Sequence, residues 1–122
     1  MYIQVLVDEK IDAGKKILDE LRNSGFEIEG AFWYRIPGGF WRLVIGSTTV
    51  GQIGPLEGYH RLHEILNRLR LSDSMTGSIS LLSSSDFRYR DFLRSAQGTG
   101  QFGVSPNPYF QFNPFQDAYF YN

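Results

Sequence analysis

The chain has no cysteine, only two histidines (His60 and His63), no excess of either charge and no long apolar run. Without a thiol, cysteine nucleophiles, zinc ribbons and iron–sulfur clusters are excluded, and nothing points to an oxidising compartment. Residues 1–7 are apolar, but Asp8, Glu9 and Lys10 follow at once. That run is too short for a signal-peptide core or a membrane span. The expectation is a cytoplasmic protein without a membrane partner. Twelve Lys and Arg against thirteen Asp and Glu leave a net charge of −1. That balance argues against binding driven by nucleic-acid phosphates, though it leaves room for a local basic face.

What is present describes an ordinary globular chain. The 122 residues, 42% hydrophobic and 20% charged, fit one domain with a core that needs no covalent staples. Residues 1–7 alternate weakly and fit either a strand or the entry to a helix. From Asp8 the spacing of Ile11, Ile17, Leu18 and Leu21 is helical, with Gly25 placed to stop the helix in the left-handed conformation. Residues 26–36 alternate as a strand, Pro37-Gly38-Gly39 reads as a turn, and residues 40–45 return. Trp33 and Trp41 are placed to pair across or near this hairpin.

Residues 46–54 read as a polar loop or a third short strand. Pro55 then opens a helix over 56–71, with Tyr59, Leu62, Leu66 and Leu69 facing inward. Residues 72–76 read as a loop and 78–82 as a short strand. Ser83, Ser84 and Ser85 supply caps for a further helix, with Asp86 in its first turn. Tyr89, Phe92, Leu93 and Ala96 form that helix's apolar stripe, and Gly98 is placed to end it.

Composition changes after Ala96. Residues 95–122 hold no Lys or Arg, one acid (Asp117) and eight aromatics. Glycines and prolines interrupt them, and 117–121 reads as a closing strand. The expected organisation is an α+β core over 1–97, with an aromatic, Gly/Pro-rich arm over 98–122 in the same domain. The expected fold is two-layered: a small antiparallel or mixed sheet built on a central β-hairpin, with about three helices mainly on one face.

Several short patterns recur together: Gly14-Lys15-Lys16-Ile17-Leu18, Phe32-Trp33-Tyr34, Trp41-Arg42-Leu43-Val44-Ile45, Gly54-Pro55 with Tyr59, and the closing Asp117-Ala118-Tyr119-Phe120-Tyr121. With these the chain resembles a group of small bacterial proteins that carry no assigned function. The resemblance implies a complete domain, and it brings no reaction, ligand or catalytic residue.

The residues suggest no catalytic set and no cofactor. His60 and His63 lie three apart on a helix and can face one metal ion, with Glu57 or Glu64 as a third ligand. His-Glu-x-x-His is absent, and a solvated helix face explains the pair more simply. Ser78, Ser80, Ser83, Ser84 and Ser85 lack a Gly-x-Ser-x-Gly elbow, and capping accounts for them. No glycine-rich loop carries a following Lys-Ser or Lys-Thr, so a phosphate-binding loop is not indicated. Glu27 and Glu29 lie on one strand face, an arrangement common on solvated sheets.

Three functional readings follow. In the first, the chain is a non-enzymatic interaction module or accessory subunit that binds a protein partner or a second copy of itself. Trp33, Trp41, Tyr109, Phe110, Phe112 and Phe115 form its contact surface, because flat aromatics bury much area at low entropic cost. In the second, Arg35, Arg42, Arg90 and Arg94 beside the aromatic hairpin bind a nucleotide or nucleic acid. In the third, a small hydrolase or metal enzyme is built around Glu57, His60, His63 and Glu64.

Overall fold

A computed structural model describes residues 8–35, 40–101 and 118–121, without the side chains of 73, 74, 76 and 97–101. Residues 1–7, the expected turn at 37–39 and most of the aromatic arm lie outside the described residues.

Helix α1, Asp8–Asn23, has acids in its first turn and Arg22 in its last, both favourable to the helix dipole. Its inward stripe is Gly14, Ile17, Leu18 and Leu21. Gly25 takes φ +95°, and the bonds Phe26 N–H to Leu21 C=O (3.0 Å) and Gly25 N–H to Arg22 C=O (3.0 Å) close the helix in a Schellman motif. The expected stop is therefore found.

Strands β1, Ile28–Arg35, and β2, Trp41–Ser47, pair antiparallel with Trp33 opposite Leu43 and Arg35 opposite Trp41. The two tryptophans thus share a face as diagonal neighbours. After β2 the chain departs from the expected loop or strand and forms helix α2, Thr48–Ile53. Ser47, fully buried, caps it by accepting a hydrogen bond from Thr49 N–H at 3.1 Å, and Val50 enters the core. Gly54, at φ +92°, separates α2 from α3, Pro55–Arg68, whose first residue is the expected proline.

Leu62, Ile65 and Leu66 are the main apolar residues that α3 buries. The segment expected as a loop after it forms a short helix, α4, Ser72–Met75, and a 3₁₀ turn over Thr76–Ser78, with Met75 buried. Strand β3, Ile79–Ser83, then pairs parallel with β2.

Helix α5, Phe87–Gln101, follows. Asp86 precedes this helix rather than occupying its first turn, and caps it by accepting from Arg88 N–H at 2.8 Å. The helix continues through Gly98 and Gly100, each of which costs only about 1 kcal/mol relative to alanine. The last strand, β4, Ala118–Phe120, lies within the expected closing strand and pairs antiparallel with β1.

The result is a mixed four-stranded sheet in the order β3-β2-β1-β4, an α+β fold built on the central hairpin. Helices α1, α2 and α3 cover one face. Strand alternation sends Trp33, Leu43, Ile45, Ile79 and Leu81 into that layer. It sends Phe32, Val44 and Leu82 to the other face, where Tyr89, Phe92, Leu93 and Ala96 of α5 meet them. Tyr89 lies against Gly30 and Gly46, which face each other across the hairpin. A Cβ on either glycine would collide with its side chain, so the pair forms a notch that seats α5.

Candidate functional site

The two edges of the sheet are finished differently, and this difference locates the candidate site. At the β3 edge, the outward N–H of Leu81 donates to the Tyr59 hydroxyl of α3 at 2.9 Å. The central outward amide of that edge is thus satisfied within the fold. At the other edge, Tyr121 N–H donates to Ala31 C=O at 3.0 Å, so residue 121 points toward β1. By strand alternation Tyr119 does too, while the amide groups of Ala118 and Phe120 point outward. Among the described residues, β4 has a neighbouring strand only on its β1 side.

The exposed large side chains of β4 are aromatic, and the strand carries no charge. Phe120 stacks on Phe32 with ring centroids 5.0 Å apart yet remains 42% exposed. Tyr119, on the opposite face, is 37% exposed and meets Tyr121 edge-on at 5.4 Å. Phe40, 66% exposed, precedes β2 and so lies off this edge, with β1 between β2 and β4. Edge strands commonly carry charges or prolines that discourage further pairing, and β4 has neither.

Tyr121 anchors the edge to the rest of the fold. Its hydroxyl accepts from Trp33 Nε1–H at 2.8 Å and donates to Ile11 C=O of α1 at 2.7 Å. Burial pushes the phenol up to about 12, with the Trp33 hydrogen bond opposing that shift. Gly14 leaves room for this hydroxyl, since a Cβ there would overlap it. The β4 edge therefore hangs on a three-way joint of β1, α1 and the C-terminal strand.

The expected site residues fare unequally. Trp33 is fully buried and belongs to the core, which corrects its assignment to a contact surface. Trp41 is half-buried against the same core layer. Tyr109, Phe110, Phe112 and Phe115 lie outside the described residues. Tyr119, Phe120 and Phe40 are exposed aromatics outside the expected set; the sequence shows them as aromatics of the closing strand and of the hairpin, but not as exposed.

The arginines do not gather on one face. Arg35 pairs with Trp41 and Arg42 with Tyr34, so alternation sends Arg35 and Arg42 to opposite sides of the sheet. Arg42 bonds Ser80 Oγ at 3.1 Å and Gly77 C=O at 3.5 Å, which ties β2 to β3 and the turn before it. Arg90 is exposed on α5, and Arg94 pairs with Asp91 at 3.4 Å. His60, His63 and Glu64 are exposed, and Glu57 is held by Arg61 at 3.0 Å. Among the described residues, no group of three or more His, Cys, Asp or Glu is placed to hold a metal ion.

No helix among the described residues is long and apolar enough to cross a membrane. No family model matches the chain, and neither a curated protein nor a solved structure does.

Proposed function

We propose that the chain is a non-enzymatic protein-interaction module, an accessory or self-associating subunit that receives a partner strand along β4. The observation that carries this reading is the uncharged β4 edge with its two exposed rings, set against a β3 edge whose central amide is taken by Tyr59. Strand addition supplies main-chain hydrogen bonds to the outward amides of Ala118 and Phe120, and alternating side chains supply selectivity. Phe120 and Tyr119 present rings on the two faces of the sheet beside that row of bonds. A second copy meets the same requirement, since two uncharged edges do not repel and antiparallel pairing is self-complementary.

Native mass spectrometry of the untagged chain tests the reading, with Phe120→Ala alongside. The expected result is a dimer or a complex with a foreign subunit, lost in the variant while its circular dichroism is retained. A wild-type chain that stays a bare 14.0 kDa monomer at all concentrations would overturn it.

A further inference from the structure

The carboxyl ends of β2 and β3 lie side by side, with Ser47 opposite Ser83. In open sheets with parallel strands, such ends are where ligands sit. Here a cavity of about 290 Å³ opens between the α2–α3 junction and the start of α5, near the small end of ligand-pocket sizes. Its lining divides by chemistry. Pro55 is its exposed apolar residue, over the buried Val50, Leu81 and Leu82, while Tyr59 and Arg88 stand among the polar groups.

Arg88, whose side chain is 61% exposed, is oriented by a single neighbour, Asp86. Asp86 Oδ1 accepts both the Arg88 backbone N–H (2.8 Å) and Nε–H (3.3 Å), and Oδ2 accepts from Nη2 at 2.9 Å. The Arg88 hydrogen bonds also hold the Asp86 carboxyl below its usual range, so the clamp stays ionised at neutral pH. A guanidinium has five N–H donors in a planar fork. Asp86 takes Nε–H and one Nη2–H, which leaves the end-on pair formed by Nη1 and the second Nη2–H. Among the described residues that pair has no protein acceptor. Tyr59 adds a second donor: its oxygen accepts from Leu81 N–H at 2.9 Å, so its own hydrogen remains available.

From this geometry we infer a binding site for a small organic oxyanion. The ligand's apolar body lies against Pro55 at the cavity mouth, with the buried Val50, Leu81 and Leu82 forming the floor behind it. Its carboxylate or phosphate end is taken by the free end of the Arg88 fork, with the Tyr59 hydroxyl beside it. A clamped arginine suits this task because its donors are oriented in advance and accept two oxygens at once. The site is separate from the β4 edge and does not depend on association there.

The test is a titration of the full ¹⁵N-labelled chain with sodium benzoate and sodium phenyl phosphate, followed in amide correlation spectra. Benzyl alcohol serves as the neutral comparison. Saturable shifts are expected at Gly51, Gly54, Ser83 and Arg88 with at least one anion, and the stronger binder tells carboxylate from phosphate. Arg88→Gln is expected to weaken binding about tenfold or more. Asp86 still caps the backbone N–H of residue 88 in that variant, so the unliganded spectrum stays dispersed. Shifts that do not saturate, that appear elsewhere, that are matched by benzyl alcohol or that survive Arg88→Gln would each overturn the site.

Discussion

Leu81 and Phe120 occupy equivalent places at opposite edges of one sheet, and the chain treats them differently. Each points its backbone N–H away from the neighbouring strand. For Leu81 the fold supplies an acceptor, the Tyr59 hydroxyl on a helix packed over that side. For Phe120 no such acceptor stands among the described residues, and its ring is partly exposed. Exposed strand edges invite pairing, and the proposed docking along β4 rests on this contrast with an edge whose central amide already has a hydroxyl acceptor.

The comparison breaks most severely through what holds β4 in place. Trp33→Ala removes a fully buried indole and the donor that fixes Tyr121. It is expected to lower unfolding free energy by about 3–5 kcal/mol in urea titrations. A loss below about 1 kcal/mol would mean that the ring is not part of the core.

Tyr121→Phe is the next in size. It strands Trp33 Nε1–H and removes a second, non-helical bond to Ile11 C=O of α1, at an expected cost of about 1–3 kcal/mol. It also changes the pH dependence. The folded phenol titrates near 12 against about 10 when unfolded, so the folded state holds its proton more tightly. Stability is thus full below pH 10 and falls as the pH rises toward 12. The variant should show a shallower alkaline loss; some slope persists, because burial raises Tyr89 in the same direction. Identical slopes in the two proteins would remove Tyr121 from its anchoring role.

Tyr59→Phe sharpens the comparison by opening the closed edge. Leu81 N–H loses its acceptor, and a destabilisation of about 1 kcal/mol is expected. Exchange of the Leu81 amide should accelerate while that of Ile45, in the middle of β2, stays slow. Smallest of all is Glu20→Gln. It breaks the 2.8 Å pair with Arg68 that links α1 to α3, yet both side chains are partly exposed, so the expected change is about 0–1 kcal/mol.

Much of this frame was legible before any coordinates. Helix α1, the hairpin, the proline-started α3, β3 and the stripe on α5 all follow from apolar spacing and from Gly25 and Pro55, because those signals are local. Helix α2 was not legible. Thr48, Thr49 and Val50 favour strands by propensity, and the helix is set by the Ser47 cap and the burial of Val50. Trp33 was misplaced for a related reason. Alternation along β1 separates Phe32 from Trp33 but does not reveal that both faces are covered, and only α5 seated on the Gly30–Gly46 notch makes that plain. The closing strand could be read from its own residues, but its partner could not. Trp33 and Tyr121 meet across 88 positions of sequence, and nothing local records that contact.

Amide hydrogen exchange at Phe120 and Leu81, followed across protein concentration and with any co-purifying subunit present, tests the open-edge reading most directly. Leu81 is expected to be protected throughout. Phe120 is expected to exchange fast in the dilute chain and to gain protection as the complex forms. If Phe120 is as protected as Leu81 in the dilute monomer, or stays unprotected within a formed complex, β4 is not the docking edge.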